Sequence, residues 1–233
     1  MSEDPAKFNA ARAALDFIDD GMIVGLGTGS TSASFVRQLG ERVRGGLRVK
    51  GVPTSEATRN LAEQVGVPLL EISQVTSIDV DVDGADEIDP QFRLIKGGGG
   101  ALLREKIVAA ASTRMVVIAD SSKWVETLGA FALPVEVTRF GFALTQARIH
   151  EALRATGCAG DEVVLRVSGK ANEPVITDGG NYILDADAKR IPNADELGEA
   201  LKQIAGVVEH GLFLGLAQTV ILGTPSSAEV KSR

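Results

Sequence analysis

Apolar positions along the chain follow two periods. In residues 5–19, Phe8, Ala11, Leu15 and Ile18 recur at helical spacing and predict an amphipathic helix. Residues 22–26 form a short apolar run suited to a buried strand, and residues 32–39 read as the next helix. Residues 47–52, 55–65 and 67–70 repeat the order strand, helix, strand, with Thr54 or Ser55 as the helix cap. Ile78, Val80 and Val82 then alternate with Asp79, Asp81 and Asp83, a period of two that predicts a strand running into a turn at Gly84. A helix is expected from Ala101, and residues 115–119 are continuously apolar, as in a strand covered on both faces. This alternation predicts an α/β fold with a doubly wound, mostly parallel sheet.

The pattern changes near Phe131. Strands at 133–137, 162–167, 175–177 and 182–185 are interleaved with helices at 142–156 and 194–204, an order expected of a small α+β unit. The expected domains are therefore 1–131 plus 208–233, and 132–207. Strand-like runs at 212–216 and 219–222 are expected to return to the first sheet.

A chain of 233 residues with 44% hydrophobic content can bury one large core or two modest ones. The net charge of −7 and pI near 5.0 argue against nucleic acid as a partner, which needs clustered Lys and Arg. Cys158 stands alone, so no intramolecular disulfide can form. No apolar run has membrane-spanning length and the N-terminus does not read as a signal peptide, so a cytoplasmic location is expected. His150 and His210 lack a second ligand at metal spacing, which favours surface or packing roles.

Two stretches carry chemistry. Gly25-Leu-Gly-Thr-Gly-Ser-Thr31 lies between a strand and a helix, where amides, hydroxyls and the helix dipole favour an anion. The dinucleotide pattern G-x-G-x-x-G fails at Ser30, and no G-x-x-x-x-G-K-[ST] motif occurs. The second stretch, 79–106, brings Asp83 and Asp86 to a strand's carboxyl end. Lys96, the run Gly97, Gly98, Gly99, Gly100 and then Glu105 on a helix follow. Asp79, Asp81, Asp83 and Gly84 mimic the first half of a calcium loop, but Pro90 holds the place of its bidentate glutamate. Taken singly, Glu105 and Lys123 also fit solvated surface residues, and the glycine run a linker.

In their order, VGLGTGST (24–31), VDGADEI (82–88), IKGGG (95–99), REK (104–106), ADSSK (119–123) and LPVEV (133–137) make the chain resemble the type A ribose-5-phosphate isomerases. The resemblance implies a Rossmann-like domain with a second, smaller ferredoxin-like one. It also implies neither metal nor redox cofactor, and a homodimer or tetramer. Carried over, Gly27, Thr28, Gly29, Ser30 and Thr31 bind the substrate's phosphate end. Asp83, Gly84, Ala85 and Asp86 line the site together with Lys96, Gly97, Gly98 and Gly99. Glu105 is the proton acceptor and Lys123 a substrate ligand. Ring opening falls to Asp83 or Asp86. Gly100 departs from the family, which has alanine there, and is expected to loosen the loop slightly. Asp79 and Asp81 are expected to point away from the site. The competing readings are a sugar-phosphate sensor, which lacks a DNA-binding segment here, and a nicotinamide-dependent oxidoreductase, whose fingerprint fails at Ser30.

Overall fold

A computed structural model describes residues 4–169 and 172–233. They divide into two compact units. One holds the residues up to Ala85, Arg104–Trp124 and Gly215–Arg233, and the other holds Asp86–Leu103 and Val125–Leu214. The division differs from the expected one because strand Leu94–Ile95 pairs with Glu87–Ile88 on one side and with Leu212–Phe213 on the other. These ladders draw residues 86–103 and 212–213 into the second unit, whereas 212–216 had been expected to rejoin the first sheet.

In the first unit six strands run in the spatial order Ala228–Ser232, Ala217–Gly223, Ser112–Asp120, Ile78–Asp83, Ile23–Leu26, Lys50–Pro53. All neighbours are parallel except the Ala217–Gly223/Ala228–Ser232 pair. Val24, Leu26, Val80, Val82, Val116 and Ile118 are buried with Phe35, Val36 and Leu39 of the helix Ser30–Arg44. Each such side chain contributes about 1.5–3 kcal/mol relative to exposure. The helix starts two residues earlier and ends five later than its apolar pattern indicated, because its first residues are polar and its last turn is largely solvated. The strand expected at 67–70 reduces to one bridge, Gly51 to Leu69, with Pro68 unable to donate to a ladder. The first helix is α-helical over Pro5–Ala14, capped by Asp4, and then tightens over Leu15–Phe17.

The second unit contains Leu133–Val137, Phe142–Ala155, Glu162–Leu165, Tyr182–Asp187, Ala194–Lys202 and Val207–His210 in the order βαββαβ. Its antiparallel sheet places the fourth strand beside the first, then the third, then the second. That is the ferredoxin-like arrangement. Leu133, Val135, Val137, Ile149, Leu153, Leu184, Leu197 and Leu201 form its core.

Candidate active site

In the first sheet the chain runs from strand Ile23–Leu26 outward to Lys50–Pro53, then crosses to the other side as Ile78–Asp83. The crevice at such a reversal, beyond the strands' carboxyl ends, is where open α/β sheets take their ligands. Gly27 through Ser30 and Asp83 emerge there. Gly27 donates its amide to Val82 O at 3.0 Å, and a Cβ on Gly27 would run into the Asp83 carboxylate. The contact explains why this loop position is glycine. Gly27→Ala is expected to destabilise the protein by about 1–3 kcal/mol through overpacking, measured by urea unfolding.

Asp83 is fully buried and its Oδ1 is a staple for the loop. It accepts from Thr28 N at 3.0 Å, Gly84 N at 2.7 Å and Ser32 Oγ at 3.2 Å. Thr28 is turned inward as well. Its hydroxyl lies 2.7 Å from Thr54 Oγ1, 2.8 Å from Ser55 Oγ and 3.3 Å from Thr58 Oγ1. Thr58 Oγ1 in turn donates to Gly27 O at 2.9 Å. Thr28 therefore holds the loop from within, and Ser30 is the exposed hydroxyl at its tip. Gly29 is the N-cap of helix Ser30–Arg44 and has no side chain to satisfy the first-turn amides, which leaves them available to an anion. Lys7 Nζ donates to Ser30 Oγ at 3.0 Å and brings a cation to the same place.

Asp79 and Asp81 do not behave alike. Asp79 is exposed at the strand's start and accepts from Ile23 N at 2.7 Å, away from the carboxyl end. Asp81 is fully buried on the face it shares with Asp83, because side chains two apart on a strand point the same way. Its register partner Gly25 leaves room for it, since a Cβ there would lie 2.5 Å from Asp81 Oδ1 and 2.7 Å from Val108 Cγ1.

Glu105 occupies the first turn of helix Leu102–Ala110 and is only 3% exposed. It is not a solvated surface residue. Val108, one turn on, packs with Val52 and Ile78, which fixes the face that Glu105 shares. Its neighbour Arg104 is the surface residue, paired with Glu56 at 2.8 Å. Lys123 closes a single 3₁₀ turn, Ser121–Lys123, directly after strand Ser112–Asp120, and is half-buried.

In the second unit, Lys96 is 2% exposed, with Nζ 5.3 Å from the Phe213 ring centroid and its amide donating to Gly211 O at 2.9 Å. The glycine run after it is an ordered turn rather than a linker, closed by Gly100 N donating to Gly97 O at 3.0 Å. Gly98 donates to Asp86 Oδ2 at 2.8 Å, and a Cβ on Gly98 would lie 2.6 Å from Asp86 Oδ1. Gly100 has φ +83°, so glycine relieves strain there rather than loosening the loop. Gly100→Ala is expected to cost about 1–2 kcal/mol in thermal unfolding. Glu87 is spoken for, accepting from Gly129 N at 2.7 Å and Phe131 N at 2.6 Å. His210 is buried with Nδ1 accepting from Leu212 N at 3.2 Å, and burial raises the Cys158 thiol's pKa.

The family model of ribose 5-phosphate isomerase A (phosphoriboisomerase A) matches residues 50–227. The chain belongs to the ribose-5-phosphate isomerase A family. Ribose-5-phosphate isomerase A of Maricaulis maris is 55% identical over 221 residues, covering 95% of each chain. That of Rhodopseudomonas palustris is 55% identical over 233 residues, all of this chain and 96% of the relative. A D-ribose-5-phosphate isomerase solved in complex with phospho-erythronic acid superposes with a TM-score of 0.91 at 39% identity, and covers all of both chains. The isomerase A of Methanocaldococcus jannaschii gives 0.89 at 39% identity, also over both full chains.

Membership of the isomerase A family accounts for the glycine motifs but not for every residue the geometry adds. Lys7 and Thr58 were not singled out by sequence reasoning, and Thr54 and Ser55 were read only as alternative helix caps. Lys7 is 23 residues from Ser30 on an ordinary amphipathic helix, and no local spacing links them. Ser55 could be read only as a helix cap, which it also is, accepting from Thr58 N at 3.1 Å.

Proposed function

We propose that this chain interconverts D-ribose 5-phosphate and D-ribulose 5-phosphate through an enediolate, with Glu105 as the base. The observation that carries the assignment is Glu105 itself, a carboxylate withdrawn from solvent in the first turn of a helix that follows Lys96 and the glycine turn. Isomerisation removes a proton from C2 of the open-chain aldose and returns it to C1, and one carboxylate can serve both carbons. Its contribution is about 10² to 10⁴ in rate. Lys96 and the amides of the glycine turn stabilise the developing oxyanion, and Lys123 is a further substrate ligand. The first turn of helix Ser30–Arg44, with Ser30, Thr31 and Lys7, binds the phosphate. Binding energy from that end positions C1 and C2 for the base.

Incubation with ribose 5-phosphate, with ketose followed over time, tests this reading, with free ribose and added NAD as controls. Turnover of ribose equal to that of ribose 5-phosphate overturns the phosphate cradle, and dependence on NAD overturns the isomerase. Lys7→Ala is expected to raise KM by roughly tenfold, the loss of one charged hydrogen bond, with kcat little changed.

We further propose a cytoplasmic location and assembly as a homodimer or a tetramer. Among the described residues no helix is long and apolar enough to cross a membrane. Phe140 and Leu144, 95% and 78% exposed, are apolar surface of the kind that assembly covers. Sedimentation velocity decides the assembly.

A further inference from the structure

Arg166 lies between strands Glu162–Leu165 and Val167–Ser168, outside every motif that carries the family resemblance. Its backbone is fixed on both sides, with N donating to Ile183 O and O accepting from Val175 N, each at 2.9 Å. Its guanidinium divides its donors between two tasks. Nε and Nη2 form a fork on Asp185, at 2.8 Å to Oδ2 and 2.5 Å to Oδ1, with both side chains largely buried. The remaining nitrogen, Nη1, donates to Gly97 O at 2.9 Å and to Gly98 O at 3.2 Å.

We propose that Arg166 is a positioning residue for the isomerisation, setting the direction in which the glycine turn presents its amides. A peptide unit is planar and trans, so its N–H points opposite to its C=O. The Gly97–Gly98 unit is gripped at both ends, its carbonyl by Arg166 and by Gly100 N and its N–H by Asp86. In the Gly98–Gly99 unit only the carbonyl is gripped by Arg166, and that contact turns the Gly99 N–H away from the guanidinium. Without Arg166 the Gly98–Gly99 peptide in particular would be freer to rotate, since glycine places little restriction on φ and ψ. Asp185 acts one step further back by locking the guanidinium. Gly99 N–H is thereby a pre-aimed donor for an oxyanion, and such a donor contributes only if its direction is set before the charge develops. Lysine cannot replace this arrangement, because a single ammonium cannot hold the Asp185 fork and reach two carbonyls.

This inference rests on the isomerase reading, and the two fail differently. If the native protein shows no isomerisation of ribose 5-phosphate, the reading fails. If it isomerises and Arg166 variants match it, only the inference fails. The variants are Arg166→Ala, Arg166→Lys and Asp185→Asn, the last two retaining bulk should the first not fold. The measurements are kcat, KM, inhibition by phospho-erythronic acid as a carboxylate mimic of the enediolate, and affinity for inorganic phosphate. Arg166→Ala is expected to lose kcat by about 10²-fold, the scale of one oxyanion donor. KM and phosphate affinity should stay within about threefold, while inhibition by phospho-erythronic acid weakens in step with kcat. Millimolar guanidinium should restore part of the Arg166→Ala rate, and Arg166→Lys and Asp185→Asn should fall between native and Ala. A rise in KM alone would make Arg166 a direct substrate ligand and overturn the positioning role. Parallel losses of kcat, phosphate affinity and melting temperature, with no guanidinium rescue, would reduce Arg166 to a structural ion pair.

Discussion

Glu105→Gln is expected to lower kcat by roughly two to four decades, the contribution of a positioned general base, while KM for ribose 5-phosphate changes by no more than a fewfold. Glutamine matches glutamate in volume and can donate and accept hydrogen bonds, so a site 3% exposed to solvent keeps its packing. What the amide cannot do is take the C2 proton. Solvent deuterium gives an independent readout. In deuterated water the native enzyme incorporates deuterium at the transferred position whenever the protonated base exchanges before returning its proton, and the variant should incorporate almost none. Near-native turnover by Glu105→Gln would remove Glu105 from the chemistry altogether.

Much of this arrangement is legible in the sequence, for identifiable reasons. The parallel sheet showed itself because its strands alternate or run apolar, and because helices intervene between them. The glycine motifs showed themselves because close approach leaves a mark in composition: Gly27 against Asp83, and Gly98 against Asp86. Side-chain direction was less legible. Thr28 stands in a loop that reads as phosphate-binding, yet its hydroxyl faces Thr54, Ser55 and Thr58, which lie 26 to 30 residues away in the chain. The burial of Asp81 follows from its phase with Asp83, since side chains two apart on a strand share a face. Arg166 carried no signal, because its contacts with Gly97 and Gly98 span 69 and 68 residues. The domain boundary was misplaced for a related reason, since two-residue strands such as Glu87–Ile88 are too short to show a period.

Asp83 and Asp86 should separate when each is replaced by asparagine and the reaction is run in both directions. Ribose 5-phosphate is mostly a closed furanose and must be opened before C2 can be deprotonated. Ribulose 5-phosphate cannot close in that way, because its C5 oxygen is esterified. A variant defective only in ring opening is therefore slow from the aldose and much less so from the ketose. We expect that behaviour of Asp86→Asn, with a loss of about 10²-fold or more from ribose 5-phosphate. Its carboxylate is half-buried and accepts from Gly98 N through Oδ2, beside the glycine turn, whereas Asp83 is committed to the phosphate loop. Asp83 should respond differently, since three donors converge on its Oδ1 to hold the phosphate loop. Asp83→Asn weakens those charge-assisted bonds and Asp83→Ala removes them. The alanine variant should cost about 1.5–3 kcal/mol of stability and weaken inorganic phosphate binding, with activity reduced equally from both substrates. If Asp83→Asn instead shows the aldose-specific defect and Asp86→Asn is equally slow in both directions, the two roles are reversed, and the loop must be held by Ser32 and the Thr28 hydroxyl cluster without help from a carboxylate.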